Sequence, residues 1–348
     1  ARRQRQMCIR DRVVVLGITQ CDRYVVSLWR LFYYTLFYPA FLLTGQRETG
    51  KTSGKTFSFK GLNMLEETIH FKNSRNEALV GHYFAPAGKN TKTPVLVAPG
   101  TGIPQSFYFA FCQDLAKNQG RPTFIFDYHD IGESLFHKLK DSQATIAGWA
   151  QYDIPAALDW LCNKTHTDKA ILLGHSLGGS VAGLMHNYHA IEKIVAIAAS
   201  TGYLGAMKKD YRRKALFFFN VFIPLSNLFF GYVKSSAMRM GEDLPAKVGK
   251  EWGRYCKKDG YIYNAIGQTI QVNYYDKITC PFTVIYALDD DISRPANVAS
   301  LMRYYPNAQQ KIIALSPQDY GLKHLGHTLF FKEKYRILWP LIHREIDT

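Results

Sequence analysis

From residue 61 onward, short runs of apolar residues alternate with longer segments whose apolar positions recur at helical spacing. Runs of four to six residues are too short for buried helices, and most are apolar at every position, so they read as strands covered on both faces. They fall at 68–71, 79–84, 94–98, 123–126, 170–173, 193–198, 282–287 and 310–314. The first two, joined through Asn73-Ser74-Arg75-Asn76, form an antiparallel pair. The others are separated by helix-period segments at 107–118, 151–162, 177–189 and 296–304, which is how crossover helices appear between parallel strands. The expected class is α/β, with a mostly parallel eight-stranded sheet flanked by helices.

Two stretches stand outside this alternation. Residues 1–60 divide into a basic leader, an aromatic helix over 24–43 and a Gly/Ser/Thr/Lys linker. Residues 202–260 carry the apolar run KALFFFNVFIPLSNLFFGY and then a basic tail, inserted between two core strands as a helical lid or cap. The core is thus expected in two parts, 61–201 and 261–348. The segment 24–43 is about as long as a bilayer is thick, but Arg30 lies inside it and Pro39 interrupts it. A helix packed against the rest of the protein is therefore the first expectation, with peripheral membrane contact through 24–43 the next, on a protein otherwise placed in the cytoplasm. Gly45-Gln46-Arg47-Glu48-Thr49-Gly50-Lys51-Thr52 matches a phosphate-loop pattern in letters, yet no buried strand delivers it and no helix starter follows, so it reads as linker.

The net charge of +15 is uneven. Residues 1–60 hold 11 Lys or Arg against 3 Asp or Glu, and residues 202–260 hold 12 against 5. The remaining body is neutral and has no zinc-finger, RNA-recognition or basic-zipper pattern, so nucleic acid is not an expected partner. The six cysteines form no C-x-x-C pair and read as free thiols.

The densest chemical signal is Ala170-Ile171-Leu172-Leu173-Gly174-His175-Ser176-Leu177-Gly178-Gly179-Ser180, a buried strand entering G-x-S-x-G and then a helix. Glycines on both sides let the chain turn sharply, so Ser176 Oγ stands clear of the sheet while the Leu177 N–H sits at a helix start, where negative charge is stabilised. A serine hydroxyl needs a base, and the base needs a group that fixes its tautomer. Downstream strands are followed first by Asp289-Asp290-Asp291 and then by His324-Leu325-Gly326-His327. Three adjacent aspartates cannot all be buried and charged. Asp291, four residues before Pro295, is the expected acid, with Asp290 next.

Over about residues 64–340 these features resemble the α/β-hydrolase superfamily, in its lipase-, esterase- and serine-peptidase-like branch. Gly174-His175-Ser176-Leu177-Gly178-Gly179 carries the resemblance, with Asp127-Tyr128-His129-Asp130-Ile131-Gly132-Glu133-Ser134 standing where the family has D-Y-R-G-x-G-x-S. Here His129-Asp130 replaces Arg-Gly. Gly326-His327-x-x-Phe330-Phe331 is similar to a G-H-x-x-F-F ending in which the histidine is the base, favouring His327 over His324. The resemblance implies an α/β-hydrolase fold, and a second oxyanion donor from Pro99-Gly100-Thr101, at the Thr101 N–H.

The expected reaction is hydrolysis of a small, hydrophobic carboxylic ester, or a thioester or amide, through an acyl-enzyme on Ser176, with His327, Asp291, Leu177 and Thr101 assisting. Ligand binding without turnover, and acyl transfer to an alcohol, are the alternatives. The other histidines, His129 and His137 included, show no metal-ligand spacing, so neither a metal nor a cofactor is expected. His175 reads as a packing or orienting residue. The sequence leaves the oligomeric state open.

Overall fold

The computed structural model describes residues 64–88 and 92–348, so the aromatic segment 24–43 and the linker after it lie outside the described residues. Residues 58–234 and 241–348 form one compact unit; of the other, 1–57 with 235–240, the described part is a turn of 3-10 helix, Ser235–Met238.

The main unit is built on an eight-stranded sheet. Its strands in chain order are β1 (Met64–Lys72), β2 (Ala78–Pro86), β3 (Val95–Ala98), β4 (Thr123–Phe126), β5 (Ala170–His175), β6 (Ile191–Ile197), β9 (Pro281–Ala287) and β10 (Gln309–Leu315), while β7 (Tyr232–Val233) and β8 (Leu244–Pro245) form a separate ribbon. The order across the sheet is β1-β2-β4-β3-β5-β6-β9-β10. Only β2 runs against its neighbours; every pairing from β4 to β10 is parallel. The central strands β3, β4 and β5 are buried at every position, as continuous apolar runs require. The edges differ. β1 alternates between half-buried and exposed residues, and β10 is mostly exposed, with Lys311 reaching Glu345 at 2.7 Å.

Succession reverses at β3: the chain steps to β4 on one side, then crosses back to β5 on the other. In open parallel sheets the crevice at such a reversal, beyond the carboxyl ends of the strands, is where ligands bind. Helices α1 (Phe109–Asn118) and α2 (Ile154–Thr165) carry the two crossovers. One core cluster joins Val95 and Val97 of β3, Leu173 of β5 and Val195 of β6 to Phe111 and Leu115 of α1. Trp339 and Ile342, from the last helix, complete it.

The helix expected over 177–189 is shorter. Helix α3 spans Leu177–Ser180 and breaks at Val181 into 3-10 turns. Tyr305, distant in sequence, is the reason: its hydroxyl donates to the Ser180 carbonyl (2.9 Å) and accepts from the Gly183 N–H (3.2 Å), taking two groups that would otherwise extend the helix. Gly183 admits this because the Tyr275 ring lies where a Cβ would be, 2.3 Å away.

Between β6 and β9 the insertion folds as α4 (Lys209–Phe217), a π-helical turn (Phe218–Phe222), α5 (Ile223–Phe230), the β7–β8 ribbon and α6 (Ala246–Cys256). Helix α7 (Pro295–Met302) and the terminal α8 (Trp339–Asp347) complete the fold. A second π segment, Trp149–Asp153, precedes α2. Each π segment ends two residues before a proline, Pro155 or Pro224, whose ring would collide with the carbonyl four residues earlier; widening the turn relieves the collision. Part of the aromatic run serves the insertion itself, since Phe218 and Phe219 pack edge-on against Trp252 of α6 at 5.9 and 5.4 Å. Leu228 and Phe229 of α5 remain exposed. Among the described residues, no helix is long and apolar enough to cross a membrane.

Candidate active site

At the end of β5 the backbone of Ser176 takes φ 51° and ψ −109°, a conformation worth roughly 1–3 kcal/mol of strain for a residue with a side chain. Packing enforces it. A Cβ on Gly174 would lie 2.3 Å from Gly179, and one on Gly178 would lie 2.2 Å from the Ala98 carbonyl oxygen. Strand β5, helix α3 and the end of β3 approach so closely that only glycine fits, and the Ser176 N–H donates to Ile197 of β6 (2.9 Å). The serine side chain is left half-buried at the carboxyl edge of the sheet.

His327 arrives from the loop after β10. Its Nε2 lies 2.9 Å from Ser176 Oγ, and its Nδ1 lies 2.7 Å from Asp290 Oδ2. The aspartate there is Asp290, so the expectation of Asp291 is corrected. Asp290 is fully buried, and its other oxygen accepts the N–H groups of Ile292 (2.7 Å) and Ser293 (3.1 Å), which aims the carboxylate inward. Asp291 turns outward to Lys208 of the insertion (3.2 Å). Burial pushes the Asp290 carboxyl up, but the His327 charge, its hydrogen bond and the two backbone donors together outweigh this, so it stays below the usual carboxylate range.

Asp289 has a third role that the sequence did not signal. Its two oxygens accept the N–H groups of Leu325 and Gly326 at 2.9 Å each, and it pairs with His324 at 2.6 Å. It thereby clamps the loop that presents His327, helped by Gly326 at φ 58°. His324 itself is largely exposed and points to Asp289 rather than to Ser176.

His175 is buried beneath the site. Its Nε2 faces the His327 carbonyl at 2.9 Å, and a carbonyl can only accept, so the proton is on Nε2. Nδ1 then accepts from the Tyr108 hydroxyl (2.7 Å), which in turn accepts the Gly100 N–H (2.9 Å). This chain of hydrogen bonds ties the loop after β3 to the loop carrying His327. Burial pushes the His175 imidazole down to about 3, so it is neutral and its tautomer is fixed.

Leu177 opens α3, where the first N–H groups of a helix have no intrahelical acceptor. Thr101 lies on the loop after β3, beside Gly100, whose missing Cβ would meet the His175 ring at 3.1 Å. The Glu242 N–H of the insertion donates to the Gly102 carbonyl of the same loop (2.8 Å). His129, Asp130 and His137, which have no metal-ligand spacing in the sequence, converge after β4 with their ligand atoms all within 4.8 Å of one another.

Comparison with known structures and families agrees with this architecture. A hypothetical protein of Pseudomonas aeruginosa is similar at a TM-score of 0.55 and 15% identity, over 87% of this chain and 99% of that one. An esterase of Pyrococcus furiosus has a TM-score of 0.55 at 12% identity, over 89% and 98%. The 2-hydroxy-6-oxo-6-phenylhexa-2,4-dienoate hydrolase of a Rhodococcus species has a TM-score of 0.50 at 14%, over 82% and 100%. At those identities the likeness is one of fold. No curated protein matches by sequence. A family model does, along residues 95–334, and with it the chain belongs to the alpha/beta hydrolase family.

Proposed function

We propose that the protein is a serine hydrolase of carboxylic esters with a hydrophobic acyl or alcohol part. The observation that carries this reading is the continuous Ser176–His327–Asp290 contact, 2.9 and then 2.7 Å, on a serine held at φ 51°. Ser176 Oγ attacks the ester carbonyl as His327 Nε2 takes its proton, and Asp290 holds the Nδ1–H and stabilises the imidazolium. Charge forming on the carbonyl oxygen meets the N–H groups of Leu177 and Thr101. The alcohol then leaves with the proton from His327, giving an acyl-serine, and a water activated by the same histidine releases the acid.

The insertion acts as a cap over this site. Its links to the core support that role: Glu242 bonds the loop bearing Thr101, and Lys208 meets Asp291 next to the acid. The Pyrococcus furiosus protein of like fold is an esterase, which makes esters of graded chain length the first substrates to try.

A fluorophosphonate probe tests the reading. The expected adduct sits on Ser176, needs His327, and is absent in Ser176→Ala, whose kcat/KM for any accepted ester falls on the order of 10⁶-fold while the fold is retained. Equal labelling of Ser176→Ala, or no labelling of the folded wild type, overturns it; the latter leaves ligand binding without turnover.

A further inference from the structure

We infer that the turn after β4 is a binding site for a divalent transition-metal ion of the zinc class, formed by His129 Nε2, Asp130 Oδ1 and His137 Nε2. The inference does not depend on the esterase reading.

The carboxylate is the starting point. Asp130 is 99% buried in its backbone and side chain together, at 1% exposure, and its backbone is held at φ 65°. One oxygen, Oδ2, accepts from the Ser142 hydroxyl. The other, Oδ1, is buried and accepts no hydrogen bond, although a buried carboxylate oxygen without a partner is costly. What faces it is a pair of imidazole nitrogens, His137 Nε2 at 3.0 Å and His129 Nε2 at 3.4 Å.

Neither nitrogen makes a hydrogen bond to it. His137 Nδ1 lies 3.1 Å from the Lys138 carbonyl, which can only accept, so a ring with one proton carries it there and presents the Nε2 lone pair to Asp130. His129 stands between two carboxylates, Glu77 at 3.5 Å from Nδ1 and Asp130 at 3.4 Å from Nε2; with its proton on Nδ1, toward Glu77, its Nε2 is free to bind an ion. In those tautomers two imidazole lone pairs and a buried carboxylate oxygen face one another within 4.8 Å, and one cation between them would partner all three.

The separations fit such a cation. Ligands about 2.0–2.1 Å from a tetrahedral zinc stand about 3.4 Å apart; His129 Nε2 lies 3.4 Å and His137 Nε2 3.0 Å from Asp130 Oδ1, and all three ligand atoms lie within 4.8 Å of one another. A carbonyl on one histidine and a carboxylate on the other are the outer partners that metal-bound imidazoles take. Nitrogen donors select zinc and its late first-row neighbours over calcium or magnesium, which prefer oxygen. Three protein ligands leave a fourth position to water, and His137, whose side chain is 45% exposed, gives the ion a route in.

Binding of Zn²⁺ to the chelator-stripped full-length protein tests this, by titration against a competing zinc indicator and by the visible spectrum with Co²⁺ in its place. The expected results are one ion per chain in this site, a tetrahedral Co²⁺ spectrum and a higher Tm with Zn²⁺. In His137→Ala, which changes a half-exposed side chain and spares the buried aspartate, affinity falls at least 100-fold, and the spectrum and Tm shift disappear. Glu77→Gln, which reaches the ion through His129, weakens binding roughly 10-fold. Absence of stoichiometric Zn²⁺ binding by the wild type overturns the inference, as does binding that His137→Ala leaves unchanged.

Discussion

Two turns at the carboxyl edge of the sheet supply the candidate nucleophile and the candidate acid, and they are determined in opposite ways. After β5, backbone crowding leaves one solution: Gly174 and Gly178 have no room for a Cβ, so Ser176 must take the strained apex. After β9, three chemically identical residues follow one another, and only their surroundings separate them. Asp289 clamps the histidine loop, Asp290 meets His327, and Asp291 faces Lys208. A constraint on backbone space is written in glycines. A constraint on environment is written in partners more than thirty residues away.

The largest effect that tests this contrast comes from the acid turn. Asp290→Asn should lower kcat on the order of 10⁴-fold, because the amide no longer holds the tautomer in which His327 Nε2 can accept a proton. Asp291→Asn removes an ion pair between exposed partners and should leave kcat within about twofold. Steady-state kinetics on the two variants decides the matter, and a reversed order would mean that the three aspartates had been given the wrong roles.

The elbow answers to a stability measurement instead. Gly178→Ala places a methyl 2.2 Å from the Ala98 carbonyl, a backbone atom that cannot swing aside. Overpacking of this kind costs on the order of 1–3 kcal/mol or more, readable as a lower denaturation midpoint. The change also pushes β3 away and so disturbs the loop carrying Thr101. An unchanged midpoint would show that the turn is less crowded than its glycines imply.

The same division accounts for what was legible in the sequence. The central strands could be placed because they must be apolar throughout, and 123–126 coincides with β4. The opening strand was read as 68–71 but begins at Met64, since its outer half is polar and its pairing with β2 is made by backbone groups that leave no side-chain pattern. The helix after Ser176 was read too long because Tyr305 intercepts it from over a hundred residues away. In the candidate site, Ser176 and His327 were marked by neighbouring glycines, whereas the choice among the aspartates was not marked at all. His129, Asp130 and His137 escaped notice for the same reason: spacings of one and eight match no helix or hairpin, and a left-handed turn at Asp130 brings them together.

His175 belongs to both kinds of constraint, since it lies within the glycine-rich turn yet is fixed by its surroundings. In its hydrogen-bond chain from Gly100 through Tyr108 to His327, the neutral ring accepts from the Tyr108 hydroxyl at Nδ1 and donates to the His327 carbonyl at Nε2. Burial holds its pKa at about 3, whereas in the unfolded chain it titrates near the ordinary histidine value of about 6.5. Between those values the unfolded state binds a proton that the native state refuses. The stabilisation is therefore complete above about pH 6.5 and is lost as pH falls toward 3, at a limiting slope of about 1.4 kcal/mol per pH unit. His175→Asn keeps a donor and an acceptor but cannot titrate. Its unfolding free energy should lie below that of the wild type at pH 7, and the gap should narrow by about 1.4 kcal/mol between pH 5.5 and 4.5. Asp127 and Asp153, buried carboxyls raised to about 7, shift the stability of both chains alike and drop out of the difference. A gap that stays constant with pH would mean that His175 titrates in the folded protein as it does in the unfolded one, so that below its pKa the direction of hydrogen bonding between His175 and Tyr108 is reversed.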